Sequence, residues 1–311
     1  MKILKIAIPL VLFVSIGLFY FLIPSTIKIS TFKVASSHEL SVIRVLNSPS
    51  LLAKSMSPYY DSSKHHITID DIVFTPNAAL SNIIQLNVAT NNISTKSFIT
   101  ANSINKETTA INWFAEIKTS WNPIQRVKDY KEAIRIKKTT AQLLQHLNDF
   151  VEKPENIYGL DIKEITLKDT VLISTKFVNK QLPTNNQIYK AVDELTKYLT
   201  SFKKMAQNNP MVTVLENPTK DYTIMVGISI NGEIPETAIY KIKKMPTNGK
   251  MFIADVKGGP ATIRNGYEAL KSFLQDTKRP SPAVPFELLN TDRRQVNDTS
   301  KWETRIYYPV M

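Results

Sequence analysis

Residues 27–34, IKISTFKV, alternate apolar and polar side chains with the two-residue period of a half-buried strand. Similar runs follow at 67–74 (ITIDDIVF), 80–88 (LSNIIQLNV), 95–101 and 110–118 (AINWFAEIK), separated by Asn, Ser and Thr. The period then lengthens. From Val127 to Val151 the apolar positions Ile134, Ala141, Leu144, Leu147 and Val151 keep to helical spacing, which predicts one long helix that Pro154 ends. A strand-rich unit closed by a long helix is the order expected when the helix packs across a curved sheet.

Beyond Pro154 the pattern runs through one order of elements twice. The first copy reads as a strand at 165–178 (ITLKDTVLISTKFV), a helix at 186–206, and strands at 210–216 (PMVTVLE) and 222–230 (YTIMVGISI). The second reads as a strand at 250–257 (KMFIADVK), a helix at 261–276 (ATIRNGYEALKSFLQD), and strands at 284–290 (VPFELLN) and 302–308 (WETRIYY). An internal repeat constrains a fold more than local propensity does. Two β-α-β-β units related by a pseudo-twofold join their sheets and leave a concave groove between the halves, the natural place for a ligand.

The N-terminal end is different in kind. Ile6 to Ile23, IAIPLVLFVSIGLFYFLI, contains no charge, and counted from Ile3 the stretch is long enough for one hydrocarbon span. Lys2 and Lys5 precede it, and the exit, Phe21-Leu22-Ile23-Pro24-Ser25, is bulky where a signal peptidase needs small residues. The expectation is an uncleaved single-pass anchor over residues 3–23 in a bacterial inner membrane. The lysines before it favour export of the remainder, against which Lys28, Lys33 and Arg44 weigh.

The absence of cysteine excludes disulfides, thiol nucleophiles and cysteine-ligated metals or clusters. All four histidines, His38, His65, His66 and His146, precede residue 150, so chemistry in the second half falls to carboxylates, tyrosines or lysines. His65 and His66 stand near Asp70 and Asp71, but adjacent strand residues point to opposite faces, so no metal site is expected. The net charge of +12 is spread along the chain. Its densest run, Lys118 to Lys138, has the composition to meet nucleic acid or anionic lipid but reads better as a solvated helix face. No helix-turn-helix pattern stands out, and no direct nucleic-acid binding or cofactor is expected.

Three stretches of the second half carry a resemblance. They are Lys257-Gly258-Gly259-Pro260 leading into Tyr267-Glu268-Ala269-Leu270-Lys271-Ser272-Phe273-Leu274, then Pro285-Phe286-Glu287-Leu288-Leu289-Asn290, and finally Thr304-Arg305-Ile306-Tyr307-Tyr308-Pro309-Val310. The segment from about 158 to 311 resembles the gyrase-inhibitor-like (GyrI-like) domain, also called the AraC effector-binding domain. The resemblance implies a groove for bulky, often cationic or amphipathic, small molecules, with Glu287 at its floor. Some members of that family hydrolyse reactive natural products with the same glutamate. The chain departs from the family after the glycine turn, where Pro260-Ala261 replaces a frequent aromatic. Residues 27–151 more loosely resemble the START-like, polyketide-cyclase-like (SRPBCC) family on the strand after residue 26, Trp121-Asn122-Pro123, Arg126 and the long helix. The tryptophan-rich segment frequent in that family is missing, since 46–60 reads LNSPSLLAKSMSPYY.

Glu287 is the leading site candidate on its own terms as well. A lone carboxylate inside the apolar strand VPFELL is costly to bury unpaired, and it suits either a counter-charge or a general base. A strand glutamate facing solvent or a lysine is the plain alternative. Tyr240, Phe252, Tyr267, Trp302 and Tyr307 offer aromatic faces for a cation, although strand aromatics more often serve the core. The glycine turn before 261 lacks the spacing of a phosphate loop and reads as a tight turn.

The expected molecule is an α+β protein of three parts. Residues 1–26 form the transmembrane helix, 27–153 a START-like helix-grip domain, and 154–311 a duplicated β-α-β-β effector-binding domain with a central groove. It binds a hydrophobic or cationic small molecule as sensor or sequestering module, with output through a protein partner. The rival readings are a hydrolase that uses Glu287 and a non-catalytic structural envelope protein.

Overall fold

The computed structural model describes residues 22–167, 171–245 and 248–311. The chain is mixed α+β and divides between Lys153 and Pro154 into two compact units, each built on one antiparallel sheet.

The first unit runs β1 (Thr26–Ala35), α1 (Glu39–Asn47), α2 (Pro49–Ser55), β2 (Tyr60–Asp61), β3 (His66–Ile69), β4 (Ile72–Leu80), β5 (Ile83–Ala89), β6 (Ser94–Ser103), β7 (Thr109–Lys118) and α3 (Pro123–Val151). The sheet order is β1-β7-β6-β5-β4-β3-β2, a meander whose first strand returns beside its last. Period-two patterning is plain in β7, where Ile111, Trp113, Ala115 and Ile117 are buried and Phe114 and Glu116 point outward. Helix α3 packs on β1 and β7. It begins earlier than periodicity predicts, because Asn122 Oδ1 accepts the Ile124 and Gln125 N–H groups and Pro123 fills the first helical position. Its buried stripe is Ala133, Ile136, Leu143, Leu144, Leu147 and Val151. Ile134, read as a core position, is 52% exposed, one residue off that stripe.

One further reading is corrected here, and one helix was not foreseen. The run 67–74 is a hairpin, with Ile69 paired to Ile72 and Asp70 in the left-handed region at φ 54°, a conformation Asp tolerates better than most residues. Residues 46–60 supply the end of α1 and all of α2, which Pro49 and the Ser48 cap initiate.

The single-pass membrane localisation is also corrected. Among the described residues no helix is long and apolar enough to cross a membrane. The anchor expected over residues 3–23 lies outside the described residues except for Leu22 and Ile23. Ile23 is itself buried, and its carbonyl accepts from Arg126 Nε at 2.9 Å and Nη2 at 2.6 Å, so at this point the chain already belongs to the folded unit.

The second unit runs α4 (Pro154–Tyr158), β8 (Lys163–Thr166), β9 (Val171–Asn179), α5 (Asn185–Ser201), β10 (Met211–Glu216), β11 (Tyr222–Ile230), β12 (Lys241–Lys244), β13 (Lys250–Lys257), α6 (Pro260–Thr277), β14 (Phe286–Leu289) and β15 (Glu303–Val310). The sheet order is β12-β9-β11-β10-β14-β15-β13-β8. On either side of the β10–β14 contact the order repeats in mirror sense, β9-β11-β10 against β14-β15-β13, with α5 on β9 and β11 and α6 on β13 and β15. The predicted strand 165–178 is two strands, β8 and β9, at opposite parts of the sheet, and β12 was not foreseen. Helix α5 ends at Ser201 rather than near 206.

Each half has its own core. Helix α5 buries Ile188, Ala191, Leu195 and Leu199 on Ile224, Val226 and Ile228. Helix α6 buries Ile263, Leu270 and Leu274 on Phe252, Ala254, Val256 and Ile306. Each such Leu or Ile contributes roughly 1.5–3 kcal/mol relative to exposure. The α6 helix lies close to its sheet at Gly266, where a β-carbon would sit 2.9 Å from both Ile306 Cδ1 and Val256 Cγ2. The turn before α6 requires Gly258, whose φ is 145°. It packs on the short 3-10 turn Thr299–Lys301 and is held by the Gly258 N–H donated to the Trp302 carbonyl.

Candidate functional site

Strand β14 is four residues long and forms the seam of the second unit. It meets β10 through Met211 opposite Leu288 and Val212 opposite Glu287, and meets β15 with Glu287 opposite Ile306. Val212 belongs to the α5 core and Ile306 to the α6 core. Directly opposed residues share a sheet face, so Glu287 rises between two apolar clusters on the face that carries the helices.

A carboxylate there needs a partner, and Arg293 supplies it. Arg293 Nη2 donates to Glu287 Oε2 at 3.1 Å and to Thr304 Oγ1 at 2.8 Å, and the guanidinium carbon lies 4.9 Å from the Trp302 ring centroid. The two side chains are 8% and 18% exposed for Arg293 and Glu287, so the pair is largely withdrawn from water. Arg293 Nε is buried with no hydrogen-bond partner. Burial pushes the Glu287 carboxyl above its ordinary range, and the charge and hydrogen bond of Arg293 oppose that rise. Tyr267, on α6, is raised well above an ordinary phenol, first by burial and then by the Glu287 charge. Trp302 Nε1 donates to the Val296 carbonyl at 2.8 Å, which fixes the ring under the guanidinium.

The loop that carries Arg293 is clasped to α5. The Tyr189 hydroxyl donates to the Thr291 carbonyl at 3.0 Å and accepts the Arg293 N–H at 2.9 Å. Arg294 lies over the Tyr189 ring at 4.5 Å, and its Nη1 reaches both Asp193 oxygens at 3.0 and 2.9 Å. Beside this clasp is an open cavity of about 800 Å³, lined by Asn186, Tyr189, Lys190, Asp193, Lys197 and Arg294 among others. Tyr189 therefore belongs to both places, its ring to the cavity and its hydroxyl to the backbone of Arg293.

Of the aromatic candidates, Trp302 and Tyr267 stand with Glu287. The others lie elsewhere. Tyr307 stacks on Phe286, the register neighbour that alternation turns to the opposite sheet face. Phe252 is core beneath α6, 4.9 Å from Phe273 and under Arg279. Tyr240 packs on Tyr198 at 4.7 Å, against the core beneath α5. Sequence reasoning missed Arg293, Arg294, Tyr189 and Asp193. The adjacent Asp292-Arg293-Arg294 looks like a solvated loop, and only the need of Glu287 for a counter-charge pointed to a cation nearby.

In the first unit a smaller hollow of about 440 Å³ is lined by Leu46, Leu52, Tyr60, His65, Pro76 and Ile84 among others. His65 Nδ1 lies 3.4 Å from the Tyr60 hydroxyl.

No family model and no curated protein matches the chain. Solved structures do overlap with it. EcmrR in its complex with DNA is 17% identical, with 61% of this chain and 72% of that chain covered and a TM-score of 0.43. SAV2435 bound to tetraphenylphosphonium is 13% identical, over 48% of this chain and 93% of that one, with a TM-score of 0.32. The aromatase/cyclase Zhui of Streptomyces sp. R1128 is 11% identical, over 41% and 94%, with a TM-score of 0.31. Overlaps of this size say nothing about shared ligands.

Proposed function

We propose that the second unit is a duplicated effector-binding module that takes a hydrophobic or cationic small molecule on its helix-bearing face, between α5 and α6. The observation that carries the reading is the Glu287–Arg293 pair, buried between two apolar cores, with an open cavity along α5 that reaches the neighbouring Arg294 and Tyr189. A fold that needed only stability gains little from such a pair, because two well-packed apolar side chains there would serve as well or better. A binding site does need one, because a buried charge distinguishes ligands that apolar walls cannot. Tyr267 and Trp302 belong to the same site on this reading. The first unit is proposed as a START-like helix-grip domain, and the output as a protein partner or sequestration.

The test is the melting temperature of the full chain against a panel of amphipathic cations and hydrophobic natural products. A ligand of the native state raises it by mass action, roughly 2.7 kcal/mol of stability at a hundredfold excess over Kd. A rise in the wild type that Glu287→Gln abolishes supports the reading. A panel without effect on either, while the variant folds normally, counts against it. A second reading, hydrolysis with Glu287 activating water, draws on the raised carboxyl and the nearby Tyr267, and it requires Arg293 to leave Oε2. Turnover of any compound that binds separates the two.

A further inference from the structure

Arg293 sits as a bound cation would sit. Its guanidinium faces an aromatic ring, its Nη2 bridges a carboxylate and a hydroxyl, and its Nε is desolvated without a partner. An arginine recruited for stability alone would satisfy that last donor, since a buried unmet N–H is costly. This arginine also sits on a loop, Asn290 to Asp298, rather than on a strand or helix. The loop is held by the Tyr189 hydroxyl, which bonds the Thr291 carbonyl and the Arg293 N–H, and by the next residue. Arg294 grips Asp193 and covers Tyr189 at the surface, where the two ionic side chains are 39% and 62% exposed. Such exposed pairs are weak and are screened by salt.

We propose that Arg293 is a built-in occupant of the cation place at Glu287, latched by Arg294 on Tyr189 and Asp193, and that the ligand is a planar amidinium or guanidinium on an aromatic ring that displaces it. The inference rests on the binding reading above. Shape and charge specify the class. One planar NH2 group reproduces the two hydrogen bonds that Nη2 makes to Glu287 and Thr304, which a quaternary ammonium cannot make, and the flat delocalised cation with its ring replaces the guanidinium face on Trp302. The latch residues line the open cavity, so a ligand entering there meets Asp193 and Tyr189 first and competes with Arg294 for both. Binding and opening are then one event, and the resting protein discounts its own affinity by the fraction of molecules that are open.

The probe is p-aminobenzamidine, followed by its fluorescence in the full-length chain. Arg293→Met removes the competitor and keeps the stem, and we expect binding about tenfold tighter than wild type. Adding Glu287→Gln to that variant abolishes the gain. Arg294→Ala, at the exposed latch, moves affinity in the same direction by a smaller factor without disturbing the buried pair, so the inference stays testable if Arg293→Met folds poorly. Equal affinity in wild type, Arg293→Met and Arg294→Ala overturns the built-in occupant but leaves the binding reading standing. No binding to any folded variant overturns this ligand class, and if the wider panel is also inert the binding reading falls with it.

Discussion

Phe286 and Tyr307 stack with ring centroids 4.8 Å apart and planes 6° from parallel, while the next register pair, Glu287 and Ile306, faces the other way. One strand thus sends an aromatic to one sheet face and its charge to the other. Tyr307→Leu is expected to lose roughly 0.5–1.5 kcal/mol from the ring pair. It should leave ligand-induced stabilisation through Glu287 unchanged. Denaturant unfolding with and without ligand checks this, and a loss of ligand response would place Tyr307 in the site after all.

Gly266→Ala sets two effects against each other. Alanine favours a helix interior by about 1 kcal/mol. Its β-carbon would collide with the fully buried Ile306 and with Val256, whose branched side chain turns away poorly, and such overpacking costs roughly 1–3 kcal/mol. We expect a net loss on the order of 1 kcal/mol. Thermal or urea unfolding gives the sign, and a gain would mean that α6 lifts freely from the sheet.

The pH response of Glu287 has a definite sign. Its carboxyl is raised in the folded state, chiefly by burial, so the fold holds the proton more tightly than the unfolded chain does. The associated stability is present below the ordinary value of 4.5 and is lost as pH rises through the folded value. Asp255, lowered by the Arg305 hydrogen bond, behaves oppositely: it adds stability above its ordinary 3.8 that is lost as pH falls through its folded value. The stability of Glu287→Gln relative to wild type should therefore rise as pH is taken upward from about 4.5. Chemical denaturation at a series of pH values measures it. A flat difference would mean that Arg293 fully offsets the burial.

Tyrosine ionisation offers a separate check on the same region. Burial raises both Tyr189 and Tyr267, and Glu287 adds to the effect at Tyr267. Ultraviolet titration of the wild type against Tyr267→Phe should show that this phenol ionises only with alkaline unfolding. A normal, reversible titration near 10 from Tyr267 would place it in water.

At the other end of the chain, Asn122→Ala removes the side chain that accepts the Ile124 and Gln125 N–H groups at the start of α3. The expected loss is about 1 kcal/mol, with faster amide exchange confined to the first turn. Protection unchanged there would show that packing alone holds the helix start.

Much of this architecture was legible because burial imposes a period. Strands such as β5 and β7 and helices such as α6 carry one face into a core, and their sequences show it. The hairpin at Asp70 and Asp71 was not legible, because Ile67, Ile69, Ile72 and Phe74 form an apolar series that runs through the turn without a glycine. Helix α2 was missed because seven residues are too few to show a period. At the site, Glu287 stood out through the cost of burying a charge. Its partner did not, since Arg293 reaches it from an irregular loop, and loop geometry leaves no repeat in the sequence.

The seam between the halves of the second sheet is narrow. Two opposed pairs, Met211 with Leu288 and Val212 with Glu287, join β10 to β14, whereas β13 and β15 match along eight. Leu289 on β14 reaches across this seam into the core beneath α5, so one side chain reinforces the shortest ladder of the sheet. The strand that bears Glu287 is thus also the narrowest join in the second sheet, and the two halves hang together on its four residues.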